Sequence, residues 1–137
     1  MPVVKADALP VRTERDVVTA RQAVRRMAQE LGFSLVDQTK MVTAASELAR
    51  NTFVHGKGGD MQWEILHDGE RRGLRLTFID EGPGIANIQL AMTDGWTSGG
   101  GLGMGLSGSK RLVNEFDLQS TLGSGTRVTI TRWKGGV

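Results

Sequence analysis

Four short stretches of this chain carry residue types whose spacing could do chemistry. Glu47 and Asn51 stand four residues apart. Asp80-Glu81-Gly82-Pro83-Gly84 follows an apolar alternating run, and Gly125-Thr126 opens another. Between them Gly95 to Lys110 reads GWTSGGGLGMGLSGSK, with seven glycines among the fourteen residues from Gly95 to Gly108, where average usage gives about one. A carboxylate and an amide one helical turn apart share a side of a helix. They can serve as a base and a Mg2+ ligand, or stand as a solvated pair. An aspartate at a strand end, with glycines after it, can accept from an exocyclic amine while the backbone leaves room for a flat base; it can equally form an ordinary turn. A glycine run opening onto a helix presents free N–H groups and a positive dipole end to an anion, phosphate first. Its bland counterpart is a surface loop. For Thr126 the plain account is β propensity.

The familiar phosphate loops do not fit. Gly103-Met-Gly-Leu-Ser-Gly108 matches G-x-G-x-x-G, but a dinucleotide fold needs a strand before it and an acidic residue about twenty positions on. The preceding residues are polar and loop-like, and no acidic residue follows Asp117. No Gly-Lys-Ser/Thr stands anywhere for a Walker loop. The partner motifs of a protein-kinase glycine loop are absent as well.

The elements that must hold these residues can be read from the pattern. Val3 to Val11 is a short edge strand carrying Pro10. Thr13-x-x-Asp16 starts a helix, on which Val17, Ala20, Val24, Met27, Ala28 and Leu31 follow at helical spacing until Gly32. Ser34-x-x-Asp37 starts a second helix, whose stripe runs through Met41, Ala44, Ala45 and Leu48 to about His55 and stops at Gly56. Alternation at Met61, Trp63, Ile65 and at Leu74, Leu76, Phe78 predicts a hairpin turning over His67 to Arg72. Ile88 to Met92 reads as a short helix, and Leu106 to Phe116 as another, with Leu106, Leu112, Val113 and Phe116 as its apolar positions. Phe116 to Thr121 and Thr126 to Trp133 form a second hairpin around Leu122-Gly-Ser-Gly125. Together these predict one α+β domain over residues 1–137, a two-layer sandwich with a mostly antiparallel mixed sheet covered on one face by helices.

Composition narrows the function. The chain has 137 residues, 17 Lys+Arg against 15 Asp+Glu, a net charge of +2 and no cysteine. That balance does not argue for nucleic acid, and thiolate metal sites and disulfides are excluded. No apolar run of eighteen residues predicts a membrane span, and no signal peptide is evident, so a cytoplasmic protein is expected. Arg12, Arg15, Arg21, Arg25 and Arg26 cluster near the start, as a solvated helix face or a docking surface.

It is the order that raises the signal: Glu47-x-x-x-Asn51, Asp80-x-Gly82-x-Gly84, Gly101-Leu-Gly-Met-Gly105, Gly125-Thr126. In that order the chain resembles the Bergerat-type ATP-binding fold of the GHKL superfamily over about residues 35 to 133. SELARN, DEGPGI, DGWTSGGGLGMGL and KRLVNEFDL extend the resemblance over nearly the whole chain, to the RsbT-type serine/threonine switch kinases of the stressosome. The resemblance implies ATP and Mg2+ as cofactors. It implies Glu47 as general base toward a protein hydroxyl, Asn51 as Mg2+ ligand, and Asp80 as acceptor of the adenine amino group, directly and through a water shared with Thr126. Gly82 and Gly84 would make space for the base. Gly101, Leu102, Gly103, Met104, Gly105 and Leu106 would cradle the phosphates in a closing lid. The implied partners are STAS-domain scaffold and antagonist proteins of the RsbS and RsbR kind and a downstream phosphatase or other output protein, with no nucleic acid and no membrane. A homodimer is compatible with it. An anti-sigma kinase that sequesters a sigma factor is the alternative within the superfamily.

Overall fold

A computed structural model describes residues 3–85, 92 and 105–135. Strand β1 (Val3–Val11) leads into helices α1 (Glu14–Glu30) and α2 (Leu35–Val54). The hairpin β2 (Gly59–Asp68) and β3 (Arg71–Asp80) follows, then helix α3 (Gly105–Arg111) and the hairpin β4 (Glu115–Thr121) and β5 (Gly125–Trp133). The strands form one sheet in the order β1-β2-β3-β5-β4, and each neighbouring pair is antiparallel. The expected α+β sandwich with a mostly antiparallel sheet is therefore present, and every pairing among the described strands is antiparallel. The predicted helix over Ile88 to Met92 lies, apart from Met92, outside the described residues.

Local chemistry sets both long helices. The Thr13 hydroxyl accepts the Asp16 N–H at 3.1 Å, and the Asp16 carboxylate reaches back to the Arg12 N–H at 2.9 Å. These contacts satisfy donors that a helix start leaves unpaired. Ser34 does the same for α2 by accepting from the Asp37 N–H at 3.1 Å. α1 ends with Leu31 as its cap and Gly32 at φ 81°. α2 ends where the Asn51 carbonyl accepts from both His55 and Gly56, at 2.9 and 3.0 Å. Lys57 and Gly58, at φ 61° and 100°, then turn the chain into β2.

One face of the sheet is apolar and lies under the helices. Met61 pairs with Phe78, Phe78 with Val128, Leu76 with Ile130 and Leu118 with Val128; all but the partly buried Leu118 are buried, with Val11, Ala20, Val24, Met41, Ala45 and Leu48 of the strand and helices above them. Burying that surface is the main driving force for the layer arrangement. The other face is polar at its centre, with the Thr77 and Thr129 hydroxyls 3.3 Å apart and Arg75 3.5 Å from Glu64, and at one end buried Leu66 and Trp133 flank Gly73. A buried pair locks the start of α2 to the last strand: Arg132 Nη2 donates to Asp37 at 2.5 Å, and the Gly135 N–H reaches the same carboxylate at 3.3 Å. Burial pushes the Asp37 carboxyl up, but Arg132, Gly135 and Ser34 together hold it below its ordinary value.

Two expectations are corrected. The turn of the first hairpin is Gly69-Glu70 alone, because strand pairing continues to Asp68 and Arg71. The helix expected over Leu106 to Phe116 ends at Arg111. Asn114 pulls the chain out of it: its N–H donates to the Thr131 carbonyl at 2.9 Å and its side-chain oxygen accepts the Trp133 N–H at 2.7 Å. Phe116 consequently sits in β4 opposite Ile130.

Candidate nucleotide site

Strand register builds the site. Side chains two positions apart in a strand share a face, so Asp80, next after Leu74, Leu76 and Phe78 in that series, falls on the helix-covered face. Asp80 pairs with Thr126 and Thr126 with Ser120, while on the other side Asp80 pairs with Gly59. The result is a row across four strands, Ser120–Thr126–Asp80–Gly59, directly beyond the apolar row Leu118–Val128–Phe78–Met61. The apolar face thus ends in three polar side chains and a glycine.

Each polar group in the row is oriented. The Asp80 carboxylate accepts the Gly82 N–H at 2.9 Å. Burial raises its pKa above the ordinary 3.8, against the opposing pull of the Gly82 and Thr126 backbone N–H groups. That is the expected response of a carboxylate in a half-dry site. Ser120 Oγ lies 2.9 Å from Thr126 Oγ1 and accepts the Ile85 N–H at 2.8 Å. The loop after β3 is thereby fastened to the β4–β5 hairpin, where Pro83 also accepts from Gly123 at 2.7 Å.

Glycines allow this close approach. A methyl group on Gly82 would stand 2.7 Å from the Gly56 carbonyl oxygen, and one on Gly84, at φ 75°, would stand 2.3 Å from the Thr121 carbonyl oxygen. Gly56 itself presses on the site: a Cβ there would meet Asp80 Cγ at 2.3 Å. The end of α2 is therefore in contact with Asp80. Asn51, whose carbonyl caps Gly56, lies just over one turn back, and Glu47 about 6 Å further along the helix axis. Both are half-buried.

This row, with a helix carrying a carboxylate and an amide above it, suits a flat polar ring with a charged tail. The sequence comparisons point the same way. Residues 36–134 match the family model of histidine kinase-, DNA gyrase B-, and HSP90-like ATPases. The chain belongs to this ATPase family. Among relatives, the serine/threonine-protein kinase RsbT of Bacillus subtilis is 46% identical over 123 residues, spanning 90% of this chain and 92% of the relative. An anti-sigma F factor of Clostridium acetobutylicum is 35% identical over 121 residues, 82% of each chain. A solved structure of the RsbU and RsbW domains of a Mycobacterium tuberculosis protein shares the fold at a TM-score of 0.63 and 24% identity; it matches 96% of this chain, which spans 32% of that one. Within the ATPase family the chain is of the RsbT type, a protein serine/threonine kinase that uses ATP.

For this ATPase-family member the structure brings Asp80, Gly82, Gly84 and Thr126 together and sets the helix of Glu47 and Asn51 against them. Gly101, Leu102, Gly103 and Met104 lie outside the described residues. Gly105 opens α3 and Leu106 follows it with its side chain buried in the core, so any contact from Leu106 to a ligand runs through its backbone. Sequence reasoning took Gly56 for a helix stop and Ser120 for an ordinary strand residue. Nothing local marks either one, because their importance arises from pairing with distant strands. Among the described residues no cluster of three or more His, Cys, Asp or Glu could hold a metal, and no helix is long and apolar enough to cross a membrane.

Proposed function

We propose that this kinase transfers the γ-phosphoryl group of ATP to a serine or threonine of STAS-domain scaffold and antagonist proteins, and that the kinase released from them activates a downstream output protein in a partner-switching pathway. The observation that carries the reading is the Ser120–Thr126–Asp80–Gly59 row closed by the end of α2, in a chain that is nearly half identical to a serine/threonine-protein kinase over nine-tenths of its length. Asp80 takes the adenine amino group, Thr126 shares a water with it, and Gly82 and Gly84 keep the base slot open. Gly101, Leu102, Gly103, Met104, Gly105 and Leu106 hold the phosphates through backbone N–H groups.

Asn51 supplies one oxygen ligand to Mg2+. A hard oxygen donor suits this ion, which keeps several waters and binds substrate phosphates rather than an all-protein cage, and the side-chain carbonyl of Asn51 is such a donor. When bound, Mg2+ neutralises charge on the phosphates. Glu47, one turn before Asn51, accepts the proton of the attacking hydroxyl. Transfer then rests on positioning and charge stabilisation.

Glu47→Gln tests this directly. The change keeps the shape of the side chain and removes the base, whose contribution is about 10²- to 10⁴-fold, toward the low end for a loose transition state. Purified kinase with ATP, Mg2+ and a STAS-domain protein from the same genome should show transfer falling by about 100-fold with ATP affinity unchanged. Transfer at the wild-type rate removes Glu47 as the base; collapse of ATP binding makes it structural. The second reading, a kinase that sequesters a sigma factor, is favoured by anti-sigma F factors among the relatives. Capture of a sigma factor in the presence of ATP, with no transfer to any STAS protein, would select it.

A further inference from the structure

Arg132 stands on the helix-covered face of β5, in the series Thr126, Val128, Ile130, Arg132. Thr126 and Arg132 lie about 20 Å apart by strand rise. At the first end Thr126 belongs to the row beside the end of α2. At the other end one buried guanidinium joins three elements. Its Nη2 donates to Asp37 Oδ1, in the first turn of α2, at 2.5 Å. Its Nη1 donates to the Leu112 carbonyl, just past the end of α3, at 3.0 Å. The Gly135 N–H braces the other Asp37 oxygen at 3.3 Å. The Arg132 and Asp37 side chains are only 2% and 9% exposed.

Both helices run between these two ends. From the clamp, α2 reaches Glu47 after about 15 Å and Asn51 after about 21 Å. α3 leads from Gly105 to the clamp over about 10 Å. The groups assigned to the phosphates therefore sit on two helices tied together at their far ends. α3 has seven residues and no place in the sheet. Burial of Leu106, Ser107 and Ser109 seats it on the core, and the bond to Leu112 fixes its other end.

A buried ion pair is weak evidence for stability, because apolar side chains of similar volume often hold such a place as well. They cannot aim a donor. The planar guanidinium presents its N–H groups in a fixed fork, and here the fork sets the last turn of α3 against the first turn of α2. A pivot of about 10° at Leu112 would carry Gly105 about 2 Å, given the length of the helix. A misplacement of about 1 Å can cost about 100-fold in rate.

We propose that Arg132, held by Asp37, is a positioning residue for phosphoryl transfer: it sets α3, and with it the backbone at Gly105 and Leu106, against Glu47 and Asn51 on α2. This rests on the reading of that backbone as the phosphate cradle.

The test combines Arg132→Met with Asp37→Leu in the full chain, exchanging the pair for apolar side chains. Scanning calorimetry should give a melting temperature near that of wild type. Titrations with adenosine and with ATP and Mg2+ should then separate. Adenosine meets the row of Asp80 and Thr126, which the clamp does not carry, so its affinity holds. ATP should weaken by about 10- to 100-fold, the scale of misplaced hydrogen bonds to charged groups, and transfer at saturating ATP should fall by about 100-fold. A folded double variant with the wild-type ratio of ATP to adenosine affinity overturns the proposal, whether both ligands bind normally or both weaken equally, as a merely structural pair would have it. Should the double variant fail to fold, Arg132→Lys keeps a charge beside Asp37 and removes the fork; it should lower the same ratio, and an unchanged ratio overturns the proposal too. Wild-type protein that binds ATP no more tightly than adenosine defeats the phosphate-cradle reading, and this inference with it.

Discussion

Gly56→Ala places the most direct demand on the site geometry. The added methyl would stand 2.3 Å from Asp80 Cγ, 2.4 Å from Oδ2 and 2.6 Å from Cβ, whereas ordinary contact begins near 3.4 Å. Gly56 has no positive φ, so alanine is not strained by its own backbone and the conflict falls on Asp80. Relief requires a carboxylate displacement of about 1 Å, by subtraction of those two distances. A hydrogen bond to a charged group is worth about 1.5–3 kcal/mol, and about 1.4 kcal/mol is tenfold in affinity. Losing the contact should therefore weaken ATP by roughly 10- to 100-fold. Overpacking should lower stability by about 1–3 kcal/mol, partly offset by about 0.4–1 kcal/mol from a stiffer unfolded chain. Titration calorimetry gives the first quantity and denaturant unfolding the second. In an Asp80→Gly background the methyl meets none of those atoms, so the stability loss should largely disappear. A folded Gly56→Ala protein with wild-type ATP affinity would refute the reasoning that couples the end of α2 to nucleotide binding through the Asp80 carboxylate.

Two titratable groups give predictions of opposite sign. Asp80 has a raised pKa, chiefly from burial, so its ionisation costs stability as pH rises from 3.8 through the folded value; Asp80→Asn should abolish ATP binding yet leave the apo protein's melting temperature at pH 7 unchanged or higher, and a marked fall in scanning calorimetry would contradict this. Asp37 has a lowered pKa despite its burial, through Arg132, Gly135 and Ser34, so its contribution is present above 3.8 and is lost as pH falls below it. Asp37→Asn should destabilise at neutral pH by about 3–5 kcal/mol, because the buried Arg132 loses the charge of the Asp37 carboxylate, and should flatten the acid side of the stability–pH curve; an unchanged acid limb would show that the pair does not set it.

What could be read from the sequence was what local chemistry decides. Thr13 and Ser34 cap the helices their spacing announced, since a cap needs only its own next turn. The alternation of Leu74, Leu76 and Phe78 gave the buried face of β3 for the same reason. The helix expected through Phe116 failed because Leu112, Val113 and Phe116 fit either period, and the choice is made by bonds from Asn114 to residues seventeen to nineteen positions away. Asp80, Gly82, Gly84 and Thr126 were visible through ordered motifs. Gly56 and Ser120 were not, although they touch the same two side chains.

That asymmetry follows from how the site is made. Asp80 lies on the helix side only because β3 pairs with β5 in the register that sets Phe78 against Val128 and Asp80 against Thr126. A slip of one residue would send every side chain of the strand to the opposite face, exposing Phe78 and turning Asp80 away from α2. The apolar rows next to the site therefore fix its chemistry: burial of Phe78, Val128 and Met61 pins the register, and the register delivers Ser120, Thr126, Asp80 and Gly59 as the next row. Selection for ATP and selection for a packed core act on the same strand pairing. A variant that loosens the apolar row, such as one with alanine at Phe78, endangers nucleotide recognition through geometry even where it leaves every polar contact residue in place.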